Sequence, residues 1–383
     1  KAGYRCGLIG KWHLHTGSFP TVRDPKDFVP EGRDRLGFDY FRGYNFHVKY
    51  FEGTVATTDW RVEQWEGYET KGLLKYVKEF VDLPEEKPFC MFLSVHQPHF
   101  TPFEFAPEEY YERLPSTFRL PPNIPAEMID ATNKMLRHYY AMTLAIDDMV
   151  GDVMEILRER DLLEDSIVVF TSDHGSQCGS QGLRPWAKFC PFEESIRVPF
   201  ILRWPQIMPG GTRCGSMFGA QDILPTFAEL LGIPVPDTIE GVSHAQQWLG
   251  TKPLEEEPAQ LLMNFTGTNG NPDYPTDGTE WRGIRTHKHM YYRNINGTEG
   301  LYDLIADPYE LNNLINDAGS KELLESMRAE LQRQLAALND EFLPGSAYGS
   351  WLDHQRRVIR NSRGPLPHPE TPPSKEWVQK ISQ

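Results

Sequence analysis

Four short stretches of this 383-residue chain bring together residue types that can do chemistry. They are Gly10-Lys11-Trp12-His13, His96-Gln97-Pro98-His99, Thr171-Ser172-Asp173-His174-Gly175, and Lys188 in the glycine-rich run GSQCGSQGLRPWAKF. Asp supplies a hard oxygen and His an imidazole nitrogen, so Asp173 and His174 can coordinate one divalent ion. Gly175 lets the backbone turn sharply and come close to a ligand. The same residues also fit a turn in which Asp173 caps a helix and His174 faces water. Lys11 and His13 are two apart, so on an extended segment they face the same side and can hold an anionic group. Ordinary surface lysine is the competing reading. Trp12 would point the other way and anchor the segment in the core. His99 alone fits a loop histidine beside a proline, and His96, closer to the preceding apolar run, reads as structural. Taken as a set, these residues suit binding and cleavage of a sulfate or phosphate ester. A metal and the lysines neutralise the non-bridging oxygens, and a histidine protonates the leaving alcohol.

Such residues must be held by a scaffold. Phe89–Val95, FCMFLSV, is a continuous apolar run that predicts a strand buried on both faces. Further buried strands are predicted at Ile167–Thr171 and Val198–Leu202. Open α/β sheets bind ligands beyond the carboxyl ends of their strands, so His99 and Asp173-His174 are expected on one edge of one sheet. Helices are predicted at 73–81, at about 136–160, where Ile146, Met149, Val150, Val153, Ile156 and Leu157 make the apolar stripe, and from Asp222 to Leu231, with Asp222 near the N-cap and Gly232 as the stop. Strands alternating with helices indicate an α/β sandwich with a large, mostly parallel sheet flanked by helices. Near residue 252 the pattern changes. Short strands at 283–285 and 289–292 and a helix at about 320–339 predict a smaller C-terminal α+β subdomain. The expected division is 1–252, 253–342, and an extended tail at 343–383.

Bulk composition narrows the function. The formal net charge is −15, from 39 Lys+Arg against 54 Asp+Glu. That field repels polyanions, so no nucleic-acid partner is expected. No apolar stretch approaches the roughly 20 residues that span a bilayer, so no transmembrane segment is expected. Five scattered cysteines (Cys6, Cys90, Cys178, Cys190, Cys214) form no CxxC pair and leave room for one bridge. Asn264-Phe265-Thr266 and Asn296-Gly297-Thr298 fit the glycosylation acceptor.

Longer stretches carry a family resemblance. KAGYRCGLIGKWHLHTG, LGFDYFRG, FLSVHQPHFTPFEFAPEEYYERL, YYAMTLAIDDMVGDVMEIL, DSIVVFTSDHG, IRVPFILRWP, QDILPTFAELLGIPVP and LYDLIADPYELNNL resemble, in order, the motifs of sulfatases of the alkaline-phosphatase superfamily. The match runs nearly collinearly to about residue 340. It implies the alkaline-phosphatase-like fold and sulfuric ester hydrolysis, with a small-molecule or carbohydrate sulfate ester as substrate and an extracytoplasmic location. Lys11 and Lys188 would contact sulfate oxygens. His13 would orient or activate the nucleophile. His99 would contact the sulfate or leaving-group oxygen and act as general acid. Asp173 and His174 would be two ligands of a divalent metal, Ca2+ by family, with Mn2+ or Zn2+ as alternatives because His174 stands where many sulfatases have Asn.

One family feature is absent from these 383 residues. The resemblance calls for an N-terminal Asp-Asp metal pair and a Cys/Ser-x-Pro-x-Arg segment whose Cys or Ser becomes formylglycine. Cys190-Pro191-Phe192 lacks both the proline spacing and the arginine. The expectation is therefore that the N-terminal segment with the nucleophile is missing and that this chain alone is inactive. Two other readings stand beside it. His174 suits a phosphonate monoester or phosphodiester hydrolase of the same superfamily, and the absent nucleophile suits a non-catalytic binding protein. Asn45, His47, Tyr274, Trp281, Arg282 and His287 are candidates for substrate specificity, with a lean toward carbohydrate through aromatic stacking.

Overall fold

The computed structural model describes residues 2–14, 29, 32–45, 49–59, 61–84, 86–100, 105–254, 259–264, 280–353 and 358–366. They fall into two compact units. Of the described residues, the first draws on those within 1–120 and 127–167, the second on 121–126 and those within 168–367.

In the first unit, β1 (Arg5–Lys11), β2 (Tyr40–Tyr44), β3 (Thr54–Thr57), β4 (Val62–Gln64) and β5 (Phe89–Ser94) make one sheet, in the order β4-β3-β2-β1-β5. β1 runs parallel to β2 and β5, while β3 is antiparallel to both its neighbours. Helices α1 (Glu69–Gly72), α2 (Leu74–Val81), α3 (Glu108–Glu112) and α4 (Ile129–Arg158) belong to the same unit. Tyr76, Val77, Phe80 and Val81 bury the inner face of α2. α4 starts at Ile129, earlier than its apolar stripe predicts, because its first turns read DATNK and carry no such stripe. The run 89–95 is not buried on both faces. Among the described residues β5 stands at the edge of the sheet, and Cys90 and Phe92 are exposed, the latter at 54%. Apolar content alone does not tell an edge strand from a central one.

The second unit contains β6 (Val168–Thr171), α5 (Glu193–Ile196), β7 (Phe200–Arg203), α6 (Ile223–Leu230), α7 (Ala245–Trp248), β8 (Ala259–Asn264), β9 (Trp281–Thr286), β10 (His289–Asn294), β11 (Glu299–Asp303) and α8 (Lys321–Ala337). β6 and β7 pair antiparallel in a ladder of their own. The expectation that the strands before His99 and before Asp173 share one parallel sheet is thus not met in the described ladders. β7 starts two residues later than predicted because Pro199 has no N–H to give the ladder. Val169 and Ile201 are exposed, so this pair is not the fully buried kind either. Asp222 stands at the N-cap of α6, but its carboxylate takes the N–H groups of Gly219 and Val242, each at 2.9 Å, in place of first-turn amides. Gly232 ends that helix with a φ of 66°.

β8–β11 form an antiparallel sheet in the order β11-β10-β9-β8. Strand alternation gives it two apolar faces. Ile284, Tyr291 and Leu301 pack under Leu324, Met327, Leu331 and Leu335 of α8. Trp281, Met290, Tyr292 and Tyr302 pack against Phe192 and Ile196, at either end of α5. All five thiols are free, so no bridge forms. Asn264 is buried, which removes it as a glycosylation acceptor, whereas Asn296 is exposed.

Candidate functional site

The candidate residues fall into two groups, one in each unit. In the first unit the parallel register pairs Gly10 with Ser94, so Lys11 and His13 leave the sheet at the same carboxyl edge as His96 and His99. Gly10 makes this possible. Its φ is 98°, and a Cβ there would lie 1.9 Å from the Ser94 carbonyl oxygen. Trp12 is buried with Leu8, Val29 and Phe41, as its role of anchor requires, and its ring meets Phe38 and Phe41 edge-on at 5.8 and 5.9 Å. The backbone stays tied beyond the strand, Trp12 N–H to Tyr44 O and His13 N–H to Asn45 O, both at 2.8 Å. Lys11 and His13 do not share one extended segment. β1 ends at Lys11, and His13 adopts a left-handed φ of 52°, a conformation that clusters at functional positions.

His96 is structural, as read. It is buried, with Nδ1 at 2.8 Å from the Tyr44 hydroxyl and 3.2 Å from a Glu69 oxygen. Tyr44 donates to the other Glu69 oxygen, and Gln97 Nε2 donates to Glu69 at 3.2 Å. Burial first, then Glu69, pushes the Tyr44 phenol well above its ordinary pKa, which keeps it a donor. This network fixes the turn that presents His99. The His99 N–H reaches His96 O at 2.9 Å, and the Tyr50 hydroxyl donates to His99 O.

In the second unit, Asp173 and His174 follow β6. His174 Nδ1 lies 2.7 Å from the Gly175 carbonyl oxygen. A carbonyl only accepts, so Nδ1 carries the proton and Nε2 presents its lone pair, the arrangement usual in metal-ligating histidines. Nε2 is 3.4 Å from Asp173 Oδ2. Two electron-pair atoms so placed are stabilised by a shared proton or a cation, and this donor pair fits one divalent metal. Among the described residues, no group of three or more His, Cys, Asp or Glu is placed to hold a metal ion.

The glycine-rich loop folds back on itself through Gln177 N–H to Ala187 O and Cys178 N–H to Pro185 O, each at 3.0 Å. Positive φ values at Cys178, Gly179, Gln181 and Gly182 make the reversal. It brings Lys188 into the field of Asp173. Burial lowers the Lys188 pKa from the usual lysine range, and Asp173 pulls it back up. Gly175 is again obligatory. Its N–H bonds Ser195 O at 2.9 Å, and a Cβ would lie 1.9 Å from Glu194 O.

The specificity candidates divide. Asn45, Trp281 and Arg282 are buried. Trp281 Nε1 donates to Phe189 O at 2.8 Å, and Arg282 binds Asp340 at 2.6 and 3.4 Å. His287 is exposed, and His47 and Tyr274 lie outside the described residues. Sequence reasoning passed over Glu193, Glu310 and Asn123, which hold α5 in place. Glu310 lies in the segment LYDLIADPYELNNL and Glu193 in the acidic pair after Cys190-Pro191-Phe192, but no local pattern there, or around Asn123, marks a support for α5.

Comparison with known proteins bears on both groups. The family model for sulfatases matches residues 1–233, and that for the C-terminal region of N-sulphoglucosamine sulphohydrolase matches 184–337. An ulvan-active sulfatase of Formosa agariphila is 31% identical over 382 residues, covering 98% of this chain and 72% of the relative. An endo-4-O-sulfatase of Bacteroides thetaiotaomicron is 26% identical, covering 89% of this chain and 72% of its own length. A crystal structure described as a sulfatase of Bacteroides fragilis superposes with a TM-score of 0.75 at 25% identity, over 88% of this chain and 76% of that one.

Proposed function

Because the chain belongs to the sulfatase family, we propose that its sulfuric ester hydrolysis is metal-dependent and acts on a sulfated carbohydrate. The observation that carries the metal reading is the His174 Nε2 to Asp173 Oδ2 approach of 3.4 Å, with Nδ1 locked on a carbonyl and Lys188 in the field of the same carboxylate. The carbohydrate reading rests on the relatives named for ulvan and for endo-4-O action.

Lys11 and Lys188 supply positive charge to the non-bridging sulfate oxygens. Lys188 is half-buried, where its charge is worth more than in water. His99, on its braced turn, donates a proton to the leaving alcohol oxygen. His13 orients the nucleophile. A divalent metal held by Asp173 and His174 would add Lewis-acid neutralisation of the sulfate. Formylglycine, the family's nucleophile, would come from a Cys/Ser-x-Pro-x-Arg segment, which these 383 residues do not contain. Strands β8–β11 and α8 contribute to substrate specificity. An extracytoplasmic location accords with the family, and no described helix is long and apolar enough to cross a membrane.

The test is turnover by the protein bearing that segment, on sulfated oligosaccharides, an aryl sulfate and a phosphonate monoester, before and after chelation. Sulfate release from the oligosaccharide, lost on chelation, is expected. Faster cleavage of the phosphonate would move the assignment to the phosphonate monoester hydrolases, to which His174 is also suited.

A further inference from the structure

α5 touches both halves of the second unit's functional group. Ser195 O accepts the Gly175 N–H, two residues from Asp173, and the Ser195 hydroxyl donates to the Lys188 carbonyl oxygen. Glu194 O sits where a side chain at Gly175 would have to go. The helix is only four residues long, too short to hold itself. Its support comes from elsewhere in the unit. Arg285 of β9 forks onto the Glu193 carboxylate at 2.9 and 2.9 Å, and Asn123 Nδ2 reaches Glu194 Oε1 at 2.6 Å. Those contacts grip side chains. Glu310 grips the backbone, its Oε2 accepting the Glu193 N–H at 2.8 Å. Glu310 is 2% exposed and has a left-handed φ of 53°, and its own carbonyl, like that of Tyr309, accepts from Gln181 Nε2 in the glycine-rich loop.

We propose that Glu310 is a positioning residue: by holding the Glu193 N–H it locks α5, and through α5 it sets the backbone that places Asp173, His174 and Lys188. The functional weight of that placement rests on the reading of those three residues given above.

The groups facing Glu310 are Glu193 and Glu194 of α5, Arg285 of β9, Cys190 before α5, and the phenols of Tyr292 and Tyr302. Burial, opposed by the Glu193 N–H and reinforced by the two glutamates, pushes the Glu310 carboxyl up to about 8. Near neutral pH it is therefore mostly a neutral acid that accepts through one oxygen. Glutamine offers the same acceptor and does not titrate.

Hydrogen-exchange mass spectrometry on the full chain, with Glu310→Gln and Glu310→Ala, tests this well below the melting temperature, alongside calorimetric binding of inorganic sulfate. In Glu310→Ala, exchange of the peptide containing Gly175 should rise, and sulfate affinity should fall, each by about tenfold, the scale of one lost hydrogen bond. Glu310→Gln should keep wild-type values for both. Unchanged exchange at Gly175 in the alanine variant would overturn the proposal, as would a glutamine variant as loose as the alanine one. Should the alanine variant not fold, the pH series decides. Wild-type protection at Gly175 should drop through about pH 8, where the carboxyl ionises beside Glu193 and Glu194, and stay level in Glu310→Gln. Identical series would sink the idea. Absence of sulfate binding in the wild type with the exchange pattern intact would refute the functional reading while leaving the positioning role in place.

Discussion

The indole of Trp281 donates to the carbonyl of Phe189 at 2.8 Å, so a residue on the C-terminal sheet fixes the backbone next to Lys188. Arg285, next to Ile284 in the strand and so on the opposite face, clamps Glu193 from the same strand. The face of the sheet opposite α8 is thus committed to the segment that carries Lys188. Trp281→Phe keeps most of the buried area and loses the indole donor. It should cost about 1 kcal/mol in chemical denaturation. It should also raise the sulfate dissociation constant, because Phe189 adjoins Lys188, the proposed sulfate-binding cation. Wild-type sulfate affinity in a measurably destabilised variant would show that the bond serves stability alone.

Lys188 should behave as a residue kept at some expense to the fold. Burial lowers its pKa below 10.5 against the pull of Asp173. In the window just below 10.5 the unfolded chain therefore binds more protons than the folded one, and stability rises with pH there. At neutral pH both states are protonated, and the destabilisation from burying the charge is fully present. Lys188→Met should be at least as stable as wild type at neutral pH, should lack the alkaline rise, and should bind sulfate about tenfold or more weakly. Melting curves at neutral and alkaline pH, with sulfate titrations, check all three. A methionine variant less stable at neutral pH would contradict the account.

The sequence allowed the helices and the ligand-bearing turns to be read, because both depend on local pattern. The stripe of α8 and the stop at Gly232 follow from spacing and from one residue's permitted φ. Trp12 as anchor and His96 as a structural histidine were equally local inferences. What did not follow was pairing. Phe89–Val95 and Ile167–Thr171 have the composition of central strands, yet among the described residues β5 stands at an edge and β6 pairs with β7 alone. Neighbours in a sheet are chosen by distant segments, and composition carries no record of them. The supports of Lys188 were invisible for the same reason. Trp281, Arg285 and Glu310 lie 92 or more positions from Phe189 and Glu193. Trp281 looked like a substrate-stacking residue until its indole proved to be engaged in the core.

Gly10 offers a clean test of the first unit. At φ 98°, with 1.9 Å between a built Cβ and Ser94 O, alanine can be accommodated only if β1 and β5 separate. Gly10→Ala should lose more than about 1 kcal/mol, since both backbone conformation and space are wrong. The loss should appear in the melting temperature, and exchange should rise in the peptide spanning β5. An unaffected melting temperature would mean that the β1–β5 approach is looser than described.

The Asp173 and His174 pair makes a prediction about metal content that does not depend on turnover. With Nδ1 held by the Gly175 carbonyl, Nε2 is the atom offered to an ion. His174→Ala should lower the retained divalent metal, measured by plasma emission after dialysis, with affinity falling at least about tenfold, the low end even for a partner one shell further out. His174→Asn should retain metal, because an amide oxygen is a competent ligand for calcium. Equal metal in wild type and His174→Ala would remove the histidine from the ligand set.

The last prediction concerns the 383-residue polypeptide itself. Its residues include Lys11 and Lys188, proposed to meet the sulfate oxygens, a histidine on a braced turn, and the Asp173 and His174 pair. They include no Cys/Ser-x-Pro-x-Arg segment, and Cys190, the cysteine followed by proline, has its thiol pushed up to about 12 by burial. A thiol so poorly ionised is a weak nucleophile at neutral pH. The polypeptide should therefore bind inorganic sulfate yet release no product from an aryl sulfate, and Cys190→Ser should leave both results unchanged. Supplying a formylglycine-bearing segment in the same chain should switch turnover on without changing the sulfate dissociation constant by more than a few-fold. Turnover by the 383 residues alone would require a nucleophile elsewhere in this sequence and would reopen the assignment of His13 and Cys190.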